Sequence, residues 1–429
     1  MSIKLPEEPT GEQYEDAVAS LIRALGYFVE TRLILDSEKR AVLELDVVAT
    51  STVGNERAKT LIEAKSGGTG FVDIFKVYGW KTFLNVPVGV IARYESIREP
   101  DRKAFEDYAP QLEVYVTNFA LRNTDEIEKV LPKQRECSDK LLGLLYRVGW
   151  YSATAERLCQ TAFNRFRKED GNQEIGEKVR AYARATNLCF FEKNPLVRVQ
   201  RLYEAFVNEP NISGTCISYE AKRQCVPIDR IKYDVFDSEK HPWIQYVMLL
   251  EHRARILIIK NSIEALENPD ESRLEHAVNL GHLKRNFEAG LDVVRGMENK
   301  SRIPYLLQVF IEVLGGFYLA PNKNHDDLQM IADLTGIPRE DVLEALSILD
   351  VYFPISDGSP WIFPHKDELY RIKYYPAIFR GIGAFFRQKA SQNDNYDEIA
   401  SMTGRLLTTY HSCGYRHLEP ELGVPKVTA

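Results

Sequence analysis

Histidine and cysteine are few, and neither is arranged for metal. The 429 residues hold 8 histidines and 6 cysteines. Cys137, Cys159, Cys189, Cys216, Cys225 and Cys413 form no CxxC pair and no Cys/His zinc spacing. They are expected as buried thiols in a reducing compartment. No HExxH or HxH pair occurs, and His411 and His417 flank Cys413 without a recognised metal order. This leaves no basis for a structural zinc site or a disulfide framework.

Other signatures are missing too. No GxxxxGK[ST] phosphate loop occurs, and the glycine loop Ser66-Gly67-Gly68-Thr69-Gly70 lacks that order, so no NTP site is read. The N-terminus, Met1 to Glu8, turns acidic at once and has no signal-peptide apolar run. The best membrane candidate, Ile303–Ala320, contains Gln308 and Glu312 and reads as a buried helix. A cytoplasmic protein with no membrane partner is expected. No fixed repeat period is found. The net charge of −7 argues against a basic nucleic-acid coat protein but says nothing of a local site.

What is present is ordinary globular usage, 44% hydrophobic and 27% charged. At roughly 150 residues per domain the length gives about three domains. Residues 1–125 read as α-β-β-β-α-β-α-β, an α/β domain with a mixed sheet. Thr10 and Gln13 form a capping box before the apolar stripe Tyr14, Val18, Leu21 and Leu25, and Gly26 stops that helix. Strands are expected over Tyr27–Leu35, Ala41–Thr50, Lys59–Ser66, Val86–Arg93 and Leu112–Asn118. Helices are expected over Phe71–Asn85 and Pro100–Tyr108.

Residues 126–320 read as mainly α-helical, with patterns over Ser138–Val148, Thr154–Arg167, Ile175–Glu192, Pro195–Val207, Pro242–Leu266, Glu271–Glu298 and Ile303–Tyr318. Breaks are expected near 208–217 and 237–242. Residues 321–429 begin with two short helices joined at Thr335-Gly336-Ile337-Pro338. A hairpin of Val351–Ile355 and Trp361–Pro364 is expected next. Helix-turn-helix then hairpin is a winged-helix signature. Its second helix carries Glu340, Asp341 and Glu344, which suits protein docking better than a DNA groove.

The chemistry concentrates in three strands. Asp46 sits in the otherwise apolar Leu43-Glu44-Leu45-Asp46-Val47-Val48. In Leu61-Ile62-Glu63-Ala64-Lys65-Ser66, alternation puts Glu63 and Lys65 on one face. A hard divalent cation such as Mg²⁺ takes carboxylate and carbonyl oxygens and needs one or two carboxylates. Lys65 would then orient or deprotonate a metal-bound water, or offset charge on a phosphate. On the first helix, Glu15 flanks the apolar stripe and can reach the sheet edge, whereas Asp16 lies on the far side. The plain alternative is a surface Glu–Lys pair on an edge strand. Lys76 and Lys81, with Tyr78 and Trp80, are read either as phosphate contacts or as solvated lysines on a half-buried helix.

The ordered set Gly11-x-x-Tyr14-Glu15, Leu25-Gly26-Tyr27, Leu45-Asp46 and Glu63-Ala64-Lys65 resembles the PD-(D/E)xK nuclease superfamily. Within it, residues 10–120 look most like Mrr-type restriction endonucleases and Holliday-junction resolvases. The resemblance implies a restriction-endonuclease-like fold and Mg²⁺- or Mn²⁺-dependent endonuclease activity. It implies Asp46 and Glu63 as metal ligands, with the Ala64 carbonyl as a further one. Lys65 would assist catalysis and Glu15 would support. The family's proline before the Asp is replaced by Leu45.

The implied partner is nucleic acid, DNA before RNA, and the implied setting is restriction or anti-phage defence. The competing expectation is a non-catalytic regulator on a degenerate nuclease fold. Residues 1–130 hold 16 Lys and Arg against 22 Asp and Glu. Such a domain binds phosphates poorly alone, so the metal is expected to offset part of the charge and the helical region or another subunit the rest. The helical region is also expected to sense a trigger, recognise substrate or mediate assembly with a protein partner or a second copy.

Overall fold

The computed structural model describes residues 10–37, 40–53, 58–68, 70–94, 99–119, 125–208, 211–238, 240–267, 284–322, 326–365, 369–380 and 382–383. Helix α1 (Gly11–Ala24) starts at the expected capping box: Gln13 N–H donates to Thr10 Oγ1 at 3.4 Å, and Thr10 N–H to Gln13 Oε1 at 2.9 Å. Gly26, at φ +104°, turns the chain out of it.

Five strands build the N-terminal sheet: β1 (Phe28–Ser37), β2 (Arg40–Thr50), β3 (Lys59–Lys65), β4 (Val88–Arg93) and β5 (Val114–Asn118), in spatial order β1-β2-β3-β4-β5. The first two pairings are antiparallel and the last two parallel. Parallel neighbours need crossovers. These are α2 (Phe71–Leu84) and α3 (Glu99–Tyr108). The mixed sheet expected from the sequence is present. One face packs on α1 through Val47, Ala49, Ile62 and Ala64. The other packs on α2 and α3 through Leu61, Ile74, Val77 and Phe105.

The β1–β2 ladder skips one pair without losing register. Thr31 faces Val47 and Leu33 faces Leu45, while Arg32, at φ +52°, stands between them across from Asp46. Side chains change face here: Leu43 and Leu45 lie in the α2-side core, Val47 and Ala49 in the α1-side core. From this point outward β2 leaves β3, whose last partners are Val47 and Ile62. Asp46 therefore sits at a fork between the two strands.

The chain after β5 is mostly helical, as expected. It runs through α4 (Asp125–Val130), α5 (Asp139–Phe166), α6 (Gln173–Leu188), α7 (Pro195–Asn208), α8 (Ile212–Gln224), α9 (Ile228–Phe236), α10 (Pro242–Glu267), α11 (Lys284–Gly296) and α12 (Ile303–Gln308). Two expected helices over 138–167 are one, α5, because Trp150 and Tyr151 continue its buried face. The break expected over 208–217 is short, since α8 begins at Ile212. Helix α10 is buried along most of its length, including its polar residues Gln245, Glu251, His252, Lys260 and Glu264. Of the helix expected over Glu271–Glu298, residues 271–283 lie outside the described residues.

The last elements are β6 (Phe317–Leu319), α13 (Asp327–Thr335), α14 (Val342–Tyr352), β7 (Ile362–His365) and β8 (Leu369–Ile372), with sheet order β6-β8-β7. Two expectations are corrected. The helix read over Ile303–Tyr318 ends in a π-turn at Val309–Val313. Gly315 and Gly316, at φ +82° and +67°, then redirect the chain into β6. The hairpin is β7–β8, not Val351–Ile355 with Trp361–Pro364. Val351 and Tyr352 finish α14, where the buried Tyr352 ring packs against Gly290 of α11.

The C-terminal helices expected after the hairpin, and Cys413, His411 and His417, would fall in residues 384–429, which lie outside the described residues. One apolar core runs from Leu21 through Leu145, Ile258 and Leu306 to Leu349. Among the described residues no helix is long and apolar enough to cross a membrane.

Candidate active site

Strand β3 is central, and Glu63 on it is 3% exposed. The alternative of a solvated pair on an edge strand is thereby overturned. Ile62 and Ala64 face α1, so Glu63 and Lys65 face α2, as alternation requires. Lys65 Nζ lies 2.7 Å from Glu63 Oε1 and 3.4 Å from Asp73 Oδ1. Burial works against the Lys65 ammonium, but hydrogen bonds and charges from Glu63 and Asp73 outweigh it and hold its pKa above the ordinary value. Lys76, from α2, donates to the same Glu63 Oε1 at 2.6 Å and lies over the Trp80 ring. Glu63 Oε2 is buried and has no hydrogen-bond partner among the described residues.

Asp46 closes the fork. Its Oδ2 accepts the Ala64 N–H at 2.8 Å, the bond that a β2 carbonyl would take had the ladder continued. The N–H and C=O of one strand residue point to the same neighbour, so the Ala64 carbonyl also faces the fork. Burial first, then the charge of Glu63, push the Asp46 carboxyl up to about 6, and the Ala64 N–H offsets part of this.

Glu15 approaches from α1. Burial and the Asp46 charge push its carboxyl up to about 7. Arg32 works against this, with Nε 3.6 Å from Glu15 Oε2. The structure thus brings together Asp46, Glu63, Lys65 and Glu15, with the Ala64 backbone between the first two.

Two neighbours, Asp73 and Arg32, escaped the sequence, and Lys76, read as a phosphate contact or a solvated lysine, pairs instead with the buried Glu63. Asp73 and Lys76 arrive because Gly70 starts α2 just after β3. The Gly70 N–H donates to Asp73 Oδ2 at 2.9 Å and fixes the first turn of that helix. Arg32 arrives through its left-handed backbone. Two expectations are corrected. Lys81 is not a surface phosphate contact: it is buried, donates to the Pro87 carbonyl at 2.9 Å and pairs with Glu113 at 2.6 Å. Asp16, though on the far side of the apolar stripe, does reach the sheet: that side of α1 is covered by α5, and Asp16 pairs with Arg157 at 2.6 Å and with Arg32 of β1 at 2.6 Å.

The donor set suits a hard cation of the Mg²⁺ kind. Among the described residues no three His, Cys, Asp or Glu side chains are grouped to hold a metal by themselves. Mg²⁺ does not need that, since one or two carboxylates, water and a substrate phosphate suffice. Asp46, Glu63 and the Ala64 carbonyl are such a set, and the partnerless Glu63 Oε2 is a buried oxygen in want of a donor or cation.

The chain was compared with protein-family models, curated proteins and solved structures, and none of them matches it.

Proposed function

We propose that the protein is a metal-dependent endonuclease that hydrolyses phosphodiester bonds, with residues 1–125 as a PD-(D/E)xK-like domain. One observation carries this reading. Asp46, held on the Ala64 N–H, and the Glu63–Lys65 pair come together from diverging strands beside a buried Glu63 oxygen with no partner among the described residues.

When bound, Mg²⁺ or Mn²⁺ would supply Lewis-acid activation of water and charge neutralisation at phosphate. Asp46, Glu63 and the Ala64 carbonyl would hold it. Lys65 holds Glu63 in place and presents an ammonium to charge developing on a phosphate oxygen. Lys76 adds a second ammonium at the same carboxylate. Glu15 supplies a carboxyl that titrates near neutrality beside Asp46, suited to passing a proton to or from water. Preference for DNA, and a role in restriction or anti-phage defence, rest on the resemblance alone.

We read residues 126–320 as a helical unit and 321–429, described as far as residue 383, as a winged-helix-like unit. The β6-α13-α14-β7-β8 order supports the latter. Its second helix packs against α11 and carries acids, which supports a positioning role. The three units share one apolar core, so their boundaries mark changes of architecture.

The test is a panel of supercoiled plasmid, linear duplex, single-stranded DNA and RNA, incubated with Mg²⁺ or Mn²⁺. Products from at least one substrate, absent with Asp46→Asn, are expected. Intact substrates throughout would contradict the reading. A second reading, a regulator on a degenerate nuclease fold, is favoured by the two lysines already neutralising Glu63. It predicts no Mn²⁺ binding in calorimetry that Asp46→Ala removes.

A further inference from the structure

Helix α2 is apolar on its outer side as well as its inner one. Ile74 and Val77 enter the sheet core. On the opposite side Val72, Phe75 and Phe83 are 78%, 54% and 66% exposed. A helix that is apolar all round is normally covered all round. Phe71 meets Tyr108 edge-on at 5.8 Å and extends the patch onto α3. The exposed parts of these five side chains amount to roughly 400 Å². The largest apolar patch on a monomer is commonly of about this size and is often functional.

Gly79 lies exposed between the two phenylalanines and packs against nothing among the described residues. A Cβ there would meet none of their atoms within 4 Å, and its φ is not left-handed. Glycine within a helix is destabilising relative to alanine. Close approach of another backbone gives it a use. Phe75, Gly79 and Phe83 are spaced four and four, so the pattern reads the same in both directions. Two antiparallel copies of α2 crossing at Gly79 set Phe75 of each against Phe83 of the other, an isologous contact.

Charge disfavours nucleic acid as the occupant. Of the α2 lysines, Lys76 is committed to Glu63 and Lys81 is buried with Glu113. The stripe offers phosphates nothing.

We propose that the outer face of α2 is a twofold interface between copies of this chain. The inference stands on this surface and not on the nuclease reading. The area is about half of one partner's share in a standard interface, so the dimer is weak and reversible.

Sedimentation equilibrium of the full chain across roughly 1–100 μM tests it. The wild type is expected to pass from one chain mass to two. Phe75→Glu and Phe83→Glu are expected to stay at one, with unchanged circular dichroism. Gly79→Ala should raise the melting temperature measured in dilute solution, yet weaken association at least tenfold. A wild type that stays monomeric, or a dimer indifferent to both glutamates, would overturn the proposal. A monomer whose melting temperature falls with Phe83→Glu would place a segment of the same chain on the stripe. Quenching of the stripe by single-stranded oligonucleotide, without self-association, would place nucleic acid there. Either result also overturns the dimer.

Discussion

The Asp46 carboxylate accepts the Ala64 N–H at 2.8 Å and so caps strand β3 where β2 departs. A side chain replaces a ladder carbonyl at the point where the sheet opens. That substitution keeps a carboxylate partly buried beside Glu63, which costs stability while both are charged.

The cost sets a pH dependence. Asp46 and Glu15 are raised from 3.8 and 4.5 to about 6 and about 7. The native state therefore holds these protons more tightly than the unfolded chain. Their contribution is fully present below the ordinary carboxylate pKa and is lost as pH rises through about 6 to 7. Metal-free Asp46→Asn and Glu15→Gln should each be more stable than wild type by about 1–3 kcal/mol at neutral pH, and no more stable near about pH 4. Scanning calorimetry at both pH values checks this. Added Mg²⁺ should raise the wild-type melting temperature at neutral pH and leave Asp46→Asn unmoved.

Lys65 and Lys76 share the Glu63 Oε1 at 2.7 and 2.6 Å. Either alone keeps the buried carboxylate paired, so each single alanine should cost about 1 kcal/mol or less in urea unfolding. The double variant strands Glu63 and should cost about 3–5 kcal/mol. A double variant that is merely additive would mean that the two ammonium groups do not share the load.

Arg253 joins α10 to α5 and to the turn after α12. Its Nη2 lies 2.6 Å from Glu156 Oε2 and its Nε 3.1 Å from Glu312 Oε1. Glu312 also meets Arg23 of α1 at 3.5 Å. Arg253→Met removes one cation from two buried acids and should cost about 3–5 kcal/mol. Restoring volume and neutrality with Glu156→Gln should recover part of that loss, as equilibrium unfolding would show.

His252 is buried on α10 and its Nε2 lies 2.8 Å from the Tyr374 carbonyl. Burial and nearby Arg255 push its pKa down to about 3. Its neutral form is stabilising above the ordinary histidine pKa, and that contribution is lost as pH falls through about 3. Between those limits it should add about 1.4 kcal/mol of destabilisation per pH unit. His252→Gln should remove that slope in acid unfolding, with the neutral-pH cost of a repacked core.

Much of the fold was legible because its signals are local. The capping box of Thr10 and Gln13, the alternation across Glu63-Ala64-Lys65 and the glycine stop at Gly26 each depend on a few adjacent residues. What failed depended on tertiary placement. The stripe puts Asp16 out of reach of the sheet because it assumes one buried face, whereas α1 is covered by both the sheet and α5, and Asp16 pairs with Arg157 and Arg32. Arg32 could not be foreseen at the fork, since nothing in Glu30-Thr31-Arg32-Leu33 announces a left-handed backbone. Lys76 and Lys81 looked alike in sequence, yet five residues along α2 place one over Glu63 and the other in the core. Val351 and Tyr352 carry strand propensity, but Tyr352 is buried against Gly290 and Phe287 of α11, which keeps this end of α14 helical.

The most direct measurement is the rate of plasmid nicking in Mg²⁺ by wild type and by Lys65→Ala, with folding of both verified by circular dichroism. Wild type should cleave in Mg²⁺ and stop on chelation, and Lys65→Ala should be slower by roughly 10²-fold or more. Equal rates in the two proteins, or wild-type cleavage that persists in chelator, would contradict phosphodiester hydrolysis at the Asp46–Glu63–Lys65 site.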